Sequence, residues 1–384
     1  MTKLKGVSLF SNVGIAEAKL NKLNVEIVLA NEIDERRAKF YKEIYPETDM
    51  ILGDITKPEI RTEIILKAIN YDVDFIMATP PCQGMSVAGK RDPLDERNQL
   101  ISYGMEVIKA VEPKFILLEN VPRQLVTDIK VDNQLMRIPD YIKYELGEKY
   151  NINEERMIKA MDHNVPQMRE RNIFLLVRKD LGFTWEPPKK KKRIPLKEAF
   201  KNVPSLDPLL REGEAFTIEK FPDFEKKKEV GLSISKWHYP PTHSWKQVKW
   251  MMHTPSAKSA IYNEKYFPIK DDGKHIKAHH NHYRRLNWET PGRTLTQNNG
   301  VISSLACVHP GHYLGENDEG YPIYSDPRVL SIYELLILSS LPLDWPIPEW
   351  ANERFIRQVI GEGIPSTLVY ELFKELKNLL KVFK

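Results

Sequence analysis

Short apolar runs alternate with amphipathic or charged stretches along the first half of the chain. Apolar runs of about four to eight residues are typical of buried strands, whereas longer amphipathic stretches favour helices. The predicted strands are 7–10, 25–30, 50–52, 73–78, 115–118 and 172–177, and the predicted helices are 14–23, 34–44, 59–69 and 98–111. This alternation predicts an α/β fold, with a doubly wound, mostly parallel, Rossmann-like sheet covered by helices on both faces.

The regular pattern ends near Trp185, where proline and aromatic residues replace helical or strand periodicity. We predict a main domain over 1–183, a smaller irregular domain over 184–327 and a return segment over 328–384. In the smaller domain Trp288 and Leu295 are expected to pack a core. The five cations from Lys189 to Arg193 favour a solvated linker over a phosphate-contacting segment.

The last residues of the return segment have apolar side chains at helical spacing. Ser366 is a candidate cap for this helix, whose apolar side is expected to pack on the main domain. The side chains that share this face are Leu368, Leu372, Phe373, Leu376, Leu379, Leu380 and Phe383.

Composition narrows the class of protein. The 384 residues are 41% hydrophobic and 29% charged, enough for a substantial core, and no run approaches the ~20 apolar residues of a membrane span. Cys82 and Cys307 alone make no disulfide framework, and the N-terminus lacks the apolar segment of a signal peptide. We therefore expect a cytoplasmic location, and a monomer is the default expectation. The net charge of +4 is compatible with nucleic acid without requiring it.

The strongest candidate chemistry follows the predicted strand 73–78, in the segment Thr79-Pro80-Pro81-Cys82-Gln83-Gly84. Two prolines stiffen the chain just before Cys82, at the strand end where open α/β sheets bind ligands. Glu119 ends the neighbouring predicted strand, so both side chains should face one cleft. Alone, a buried cysteine is usually inert and a glutamate can cap a helix. Together they favour Cys82 as a nucleophile.

Two further groups are expected at the same edge of the sheet. Arg169 and Arg171 precede the strand 172–177, and Glu32 with Asp34 ends the second strand, where an acid can bind ribose hydroxyls. Taken singly, these side chains fit surface ion pairs or first-turn acids of a helix equally well. The histidines at 275, 279, 280 and 282 lack paired cysteines and ligand spacing, so we predict no metal site.

In order and type, these motifs resemble those of the DNA (cytosine-5) methyltransferases over nearly the whole chain. Pro81-Cys82-Gln83 resembles the nucleophile motif and 84–100 the mobile catalytic loop. Glu119-Asn120-Val121 and Gln167-x-Arg169-x-Arg171 resemble two further catalytic motifs. The segments 9–14, 32 and 53–55 resemble the cofactor motifs, and 328–342 and 358–365 the last two motifs.

The resemblance implies a class I methyltransferase fold with a target-recognition domain over 184–327. It implies catalytic roles for Cys82, Glu119, Arg169 and Arg171. It implies cofactor contacts for Phe10, Ser11, Gly14, Glu32, Ile33, Asp54, Ile55, Pro80, Leu100, Glu362 and Gly363. It implies DNA contacts for Gln83, Ser86, Lys90, Arg91, Arg97, Arg284, Arg285, Arg293, Thr294, Thr296 and Gln297.

The function implied is transfer of a methyl group from S-adenosylmethionine, which becomes S-adenosylhomocysteine, to C5 of a cytosine in a specific double-stranded DNA sequence. The base would be flipped from the duplex and attacked at C6 by Cys82. The resemblance also implies pairing with a restriction endonuclease, from whose cleavage the methyl group would protect host DNA.

Two departures from the family pattern concern the cofactor. Asn12, Val13 and Ile15 replace typical glycines around Gly14, so we expect the backbone to approach the cofactor less closely there. Glu362 replaces the usual asparagine, which adds a charge and removes an amide donor.

Three alternatives remain to be compared. An amino-methyltransferase needs an aromatic residue after the two prolines, where this chain has Cys82. An RNA cytosine-5 methyltransferase would share the core, although the long segment 184–327 favours the recognition of a DNA sequence. A DNA-binding protein that has lost catalysis is disfavoured because Cys82, Glu119 and both arginines are present.

Overall fold

A computed structural model describes residues 3–81, 96–131 and 134–383, without the side chains of residues 96 and 97. The strands are β1 (Leu4–Leu9), β2 (Val25–Glu32), β3 (Asp49–Leu52), β4 (Phe75–Ala78), β5 (Phe115–Asn120), β6 (Asp128–Val131), β7 (Gln134–Arg137), β8 (Tyr150–Ile152), β9 (Met157–Lys159), β10 (Glu170–Arg178), β11 (Leu209–Leu210), β12 (Thr242–His243), β13 (Tyr313–Glu316) and β14 (Pro322–Tyr324). The helices are α1 (Glu35–Ile44), α2 (Pro58–Asn70), α3 (Leu100–Val111), α4 (Ile138–Leu146), α5 (Leu196–Ala199), α6 (Thr217–Lys220), α7 (Phe224–Ile234), α8 (Trp245–Met252), α9 (Ile332–Leu338), α10 (Glu353–Glu362) and α11 (Ser366–Val382).

Among these residues, eight strands form one sheet in the order β3-β2-β1-β4-β5-β10-β8, with β9 pairing to β10. The first five strands are parallel, whereas β10 runs antiparallel to β5. The strand order reverses between β1 and β4, which creates the crevice where such sheets bind ligands. The predicted α/β fold and its mostly parallel sheet are confirmed.

One predicted element is wrong. The helix expected over 14–23 is replaced by turns and a short 3-10 helix, Leu20–Leu23. Phe10, Asn12 and Gly14 all have positive φ (59°, 50° and 76°), so the chain leaves β1 in a left-handed path that cannot begin a helix. Gly14 is needed at this point because a Cβ there would lie 2.2 Å from the Tyr45 ring.

Apolar clusters cover the two faces of the sheet. Alternate residues of one strand enter opposite clusters, as Ile76 and Phe75 do in β4. Helices α2, α3 and α4 cover the face that includes Ile76, and α11 covers the face that includes Phe75. Trp185 is fully buried on the α11 side, where its indole N–H donates to the Leu372 carbonyl at 3.0 Å.

The apolar side of α11 packs on the sheet as expected, but Ser366 does not cap the helix. Its hydroxyl instead donates to the Ser340 carbonyl at 2.6 Å, and Pro365 takes the cap position without a side-chain bond. Across the described ranges, none of the helices combines the length and hydropathy needed to cross a bilayer.

The cationic run 189–193 binds to the main domain rather than forming only a solvated linker. Lys190 pairs with Glu155, Lys191 with Glu371 of α11, and Arg193 with Asp162, at 2.8–2.9 Å. The chain is therefore attached to the first part of the fold where it enters the irregular segment.

The segment 184–327 contributes short elements outside the large sheet, including the two-stranded pairs β11–β12 and β13–β14. Leu295 and the partly buried Trp288 do not pack a separate core of that segment. They join a cluster shared with Val13 of the first turn and with α9 and α10. The irregular segment is thus continuous with the main core at this point.

A buried charged cluster lies where the irregular segment meets α9. The Arg328 guanidinium is fully buried and pairs with Asp326 and Glu334, each at 2.8 Å. His309 lies 3.8 Å from both carboxylates. Glu334 also completes a capping box with Ser331 at the start of α9. Buried charges persist only when paired, so this cluster depends on all of its members.

The stability that the cluster provides depends on pH through the protonation of His309. Burial lowers the pKa of His309 to about 4, although Asp326 and Glu334 oppose the change. Burial raises the pKa of Glu334, but Arg328 prevails and brings it to about 2. For His309, the unfolded chain gains a proton below its ordinary pKa while the folded chain stays neutral until about pH 4. Stability therefore falls as pH drops through this window.

We predict that His309→Asn reduces the loss of unfolding free energy between about pH 6.5 and pH 4. Asparagine keeps an acceptor for the Gly311 N–H, which His309 Nδ1 binds at 3.1 Å, but cannot take up a proton. The slope should decrease by up to ~1.4 kcal/mol per pH unit, measured by urea unfolding. His279→Asn, at an exposed histidine, is the control and should keep the wild-type slope. If the unfolding free energy of His309→Asn changes with pH as steeply as that of the wild type, the low pKa of folded His309 is contradicted.

Candidate active site

The carboxyl ends of the five parallel strands meet at one edge of the sheet. Leu9 of β1 pairs with Asn31 of β2 and Ala78 of β4, and Ala78 pairs with Leu118 of β5. The predicted site residues Glu32, Pro80 and Glu119 therefore lie along one crevice. Other predictions fall outside the described residues: Cys82, Gln83, Ser86, Lys90 and Arg91, together with the side chain of Arg97.

Glu119 and Arg171 form a pair at this edge, on adjacent strands β5 and β10. Arg171 Nε lies 2.7 Å from Glu119 Oε1, and their side chains are 12% and 9% exposed. Burial raises the pKa of Glu119, although Arg171 and Arg169 oppose the shift. A carboxyl group with a raised pKa keeps its proton to higher pH than a free glutamate, so Glu119 can act as a proton donor.

The backbone that leads to Cys82 is fixed on both sides. Asn120 Nδ2 donates to the Pro80 carbonyl at 3.1 Å, and Thr79 Oγ1 donates to the Phe10 carbonyl at 3.1 Å. These bonds connect the end of β4 to β5 and to the turn after β1. Asn120 was not among the predicted site residues, although its position next to Glu119 was the available sequence signal.

Arg169 occupies a structural position, in contrast to its predicted catalytic role. Its guanidinium is 2% exposed and donates to the carbonyls of Leu295, Gly361 and Glu362 at 3.0, 3.1 and 2.7 Å. These acceptors belong to the irregular segment and to the end of α10. Arg169 therefore joins three parts of the chain behind the pair of Glu119 and Arg171.

Gln167 and the residues around it extend this junction. Gln167 Nε2 donates to the Leu338 carbonyl at 3.0 Å, and Gln167 Oε1 accepts the Leu295 N–H at 3.2 Å. The Thr294 hydroxyl donates to the Met168 carbonyl at 2.8 Å. The segment 292–296 is thus held along 166–169 by main-chain and side-chain bonds.

The turn after β1 approaches the end of β2 closely despite its few glycines. Asn12 takes the left-handed conformation (φ 50°), which asparagine tolerates better than most residues. Its N–H donates to Glu32 Oε2 at 2.8 Å, and Glu32 Oε1 accepts the N–H groups of Ile33 and Asp34 at 3.0 Å. Asparagine thus adopts here a backbone conformation that glycine would also permit.

The surroundings of Glu32 fit an adenosyl group in chemical terms. The Ile33 side chain is 64% exposed beside the Glu32 carboxylate. The Asn12 Oδ1 atom is buried and has no hydrogen-bond partner among the described residues. Phe10, Pro80, Ile101 and Gly104 line an apolar cavity next to the turn. A carboxylate, an unsatisfied acceptor and an exposed apolar side chain therefore occur together where the turn after β1 meets the end of β2.

The side chains of three other predicted cofactor residues make contacts within the chain. The Ser11 hydroxyl donates to the Asn31 carbonyl at 3.2 Å, and Asp54 Oδ1 accepts the Thr56 N–H at 2.9 Å. Ile55 is 3% exposed and its side chain packs in the core. Leu100 begins α3 and is partly buried.

Glu362 ends α10 and faces the turn after β1. Glu362 Oε2 lies 2.8 Å from Arg37 Nη2 of α1 and accepts from Asn12 Nδ2 at 3.4 Å. A Cβ on Gly363 would lie 2.7 Å from the Ile15 side chain, so this segment packs directly on the turn. Arg37 had no sequence signal, because its partner is 325 residues away.

The predicted DNA contacts whose side chains the structure describes divide into three groups. Arg293 and Gln297 are exposed, and Arg284, Thr294 and Thr296 are partly buried. The prediction for Arg285 is wrong, because its guanidinium is 1% exposed and donates to the carbonyls of Met251, His309 and Asp326 at 2.8–3.2 Å. Arg285 is part of the folded interior. Within the described ranges, no three His, Cys, Asp or Glu side chains are grouped for metal binding.

Known proteins match this chain over nearly its whole length. The family model described as C-5 cytosine-specific DNA methylase matches residues 4–378. The chain is 39% identical over 380 residues to the Type II methyltransferase M1.HgaI of Avibacterium volantium, covering 98% of each chain. It is 32% identical over 392 residues to the Type II methyltransferase M.NgoPII of Neisseria gonorrhoeae, covering 98% of this chain and 96% of the relative.

Solved structures share the fold at low sequence identity. An E. coli prophage protein described as a DNA modification methyltransferase superposes with a TM-score of 0.66 at 20% identity, covering 99% of this chain and 100% of that chain. The S. pombe Dnmt2 methyltransferase superposes with a TM-score of 0.55 at 15% identity, covering 98% and 99%. These likenesses concern the fold alone.

We predict that Arg169→Met lowers the unfolding free energy by about 2–4 kcal/mol, because three buried carbonyls lose a charged donor. Urea unfolding measures the change. Lys159→Met is the control: it removes a cation from an exposed pair with Glu170, where the expected effect is under ~1 kcal/mol. Equal effects in the two variants would argue against a structural role for Arg169.

Proposed function

Since the chain belongs to the family of C-5 cytosine-specific DNA methylases, we propose that it methylates C5 of one cytosine in a specific double-stranded DNA sequence, with Cys82 as the nucleophile. The observation that carries the residue assignment is the buried pair of Glu119 and Arg171. Glu119 lies on β5, whose Asn120 donates to the Pro80 carbonyl, two residues before Cys82.

The chemistry needs a nucleophile and a proton donor on the same base. Attack of the Cys82 thiolate at C6 forms a carbon–sulfur bond and moves the electrons of the C5=C6 bond toward N3 and O2. Glu119 donates a proton at N3, and the Arg171 guanidinium stabilises the charge that develops on O2. After C5 has received the methyl group, water removes the C5 proton, the C5=C6 bond re-forms as the Cys82 thiolate leaves, and N3 returns its proton to Glu119. Arg169 supports this pair through its position rather than through contact with the base.

The methyl donor proposed is S-adenosylmethionine, which when bound supplies the methyl group that C5 receives. Glu32, with both oxygens already oriented by backbone N–H groups, would bind ribose hydroxyls, and Ile33 would pack on the adenine. Phe10 and Pro80 follow the carboxyl ends of β1 and β4 beside this site, and the Asn12 amide offers an unsatisfied acceptor.

The substrate proposed is a DNA duplex from which the target cytosine is flipped, because C6 is inaccessible inside a base stack. The exposed side chains of Arg293 and Gln297, with Arg284, are the proposed DNA contacts of the irregular segment. The relatives named Type II methyltransferases suggest that a restriction endonuclease of the same specificity is the functional partner.

We predict that the protein transfers labelled methyl groups from S-adenosylmethionine to duplex DNA, and that Cys82→Ala abolishes the transfer. DNA containing 5-fluorocytosine should form a covalent adduct that survives denaturation, because fluorine at C5 cannot leave as a proton does. Cys307→Ala is the matched control: Cys307 is 2% exposed in a separate apolar cluster, and its loss should leave adduct formation intact.

Two outcomes would overturn this proposal. Methyl transfer by Cys82→Ala at the wild-type rate would exclude the nucleophile, and methylation of tRNA without any methylation of DNA would exclude the substrate. Bisulfite sequencing of DNA from an expressing host identifies the sequence methylated.

We predict that Glu119→Gln lowers the single-turnover methylation rate by about 10²–10⁴-fold, because an amide cannot donate a proton to N3. The wild-type rate should carry a decreasing limb as pH rises through the raised pKa of Glu119, and the variant should lack that limb. Glu170→Gln is the control on the neighbouring strand, where Glu170 pairs with Lys159 at the surface. A pH profile of the same shape in Glu119→Gln would contradict proton donation.

A further inference from the structure

Glu362 of α10 brings three distant parts of the chain together. Its carboxylate pairs with Arg37 of α1 at 2.8 Å and accepts from the Asn12 amide at 3.4 Å and the Gln358 amide at 3.2 Å. The Arg37 and Glu362 side chains are 23% and 26% exposed, so the pair is partly shielded from water. We call Arg37, Glu362 and Asn12 the clasp.

Asn12 links the clasp to the predicted ribose acid. Its N–H donates to Glu32 Oε2 at 2.8 Å, while its side-chain amide donates to Glu362. One residue in a left-handed conformation is therefore held between two carboxylates, one through its backbone and one through its side chain. The backbone path from Phe10 to Gly14 depends on both contacts.

The end of α10 has little freedom to move away from the turn. Arg169 holds the Gly361 and Glu362 carbonyls, and a Cβ on Gly361 would lie 2.1 Å from the Thr296 carbonyl oxygen. On the other side, Gly363 packs against Ile15. The Glu362 carboxylate is thus fixed at the mouth of the crevice, and Arg37 is its cationic partner in the described part of the chain.

Removing Arg37 would leave this carboxylate without its cation at the C-terminal end of a helix, where a negative charge is unfavourable. Asn12 and Glu32 would then face an uncompensated charge within hydrogen-bond reach of the turn. Two of the residues at which the sequence departs from the family pattern, Asn12 and Glu362, contact one another, and Arg37 neutralises the charge that Glu362 adds.

We propose that Arg37 is a positioning residue for the cofactor: by neutralising Glu362 it fixes Asn12 and the turn 10–14 in the conformation that binds the adenosyl group. This inference rests on the proposed use of S-adenosylmethionine. It assigns Arg37 a role in cofactor affinity and none in the chemical step.

The test measures the dissociation constant of S-adenosylhomocysteine by calorimetry, beside KM for S-adenosylmethionine and kcat. In Arg37→Ala, both the dissociation constant and KM should rise about three- to fivefold, while kcat changes less than about twofold, the effect expected of one partly exposed ion pair. Higher salt should reduce the difference from wild type. Lys42→Ala removes an exposed cation from the last turn of the same helix and should leave cofactor binding unchanged.

A second variant separates charge compensation from a general loss of stability. Glu362→Gln keeps an acceptor for Asn12 but removes the charge, so adding Arg37→Ala to Glu362→Gln should cost no further affinity. If Arg37→Ala weakens S-adenosylhomocysteine binding equally in the wild type and in Glu362→Gln, charge compensation by Arg37 is excluded. Wild-type affinity in the single variant Arg37→Ala would overturn it as well.

The calorimetric readout also keeps this inference apart from the proposed function. Arg37-dependent binding of S-adenosylhomocysteine by a protein that methylates no DNA would support the clasp while excluding the proposed reaction. If the protein methylates DNA but its affinity for S-adenosylhomocysteine does not depend on Arg37, the proposed reaction is supported and the role of the clasp is excluded.

Discussion

The hydrogen bonds of the Arg169 guanidinium are the interaction on which the arrangement of this protein most depends. It extends from the residue just before β10 and donates to the carbonyls of Leu295, Gly361 and Glu362, which lie up to 193 residues away in sequence. Buried main-chain carbonyls need donors, and a guanidinium can serve several at once because its five N–H groups are fixed in a plane. The sheet, the irregular segment and the final helices therefore share one orientation.

This junction explains how chemistry at a sheet edge acquires its surroundings. Glu119 and Arg171 lie on adjacent strands and need no distant support to meet. The Glu362 carboxylate and the segment around Thr296 come from far along the chain, and they reach the same crevice because Arg169 and Gln167 bind their backbones. Local strand pairing positions the catalytic pair, and long-range hydrogen bonds position what surrounds it.

Much of this could be predicted from sequence where the signal was local. Apolar periodicity predicted six of the eight strands of the large sheet but missed β8 and β9, which are only three residues long. The end of β5 correctly predicted the place of Glu119. The helix expected over 14–23 failed because positive φ values at Phe10, Asn12 and Gly14 leave no mark in hydrophobic periodicity. The predicted DNA contact of Arg285 failed for a different reason. A cation next to Arg284 suggests an exposed pair, whereas the Arg285 side chain is held inside by bonds to three carbonyls from separate segments. Arg37 could not be found because its partner is distant.

The placement of α11 has a consequence for how the chain reaches its folded state. The face of the sheet that includes Phe75 and Phe115 is covered by Leu368, Leu372 and Phe373, which leave the ribosome almost three hundred residues after β4. Contacts of such long sequence separation form late and slowly. During synthesis the strands therefore present an apolar face to solvent or to chaperones until α11 emerges. Folding of the sheet therefore cannot be completed before α11 has been synthesised.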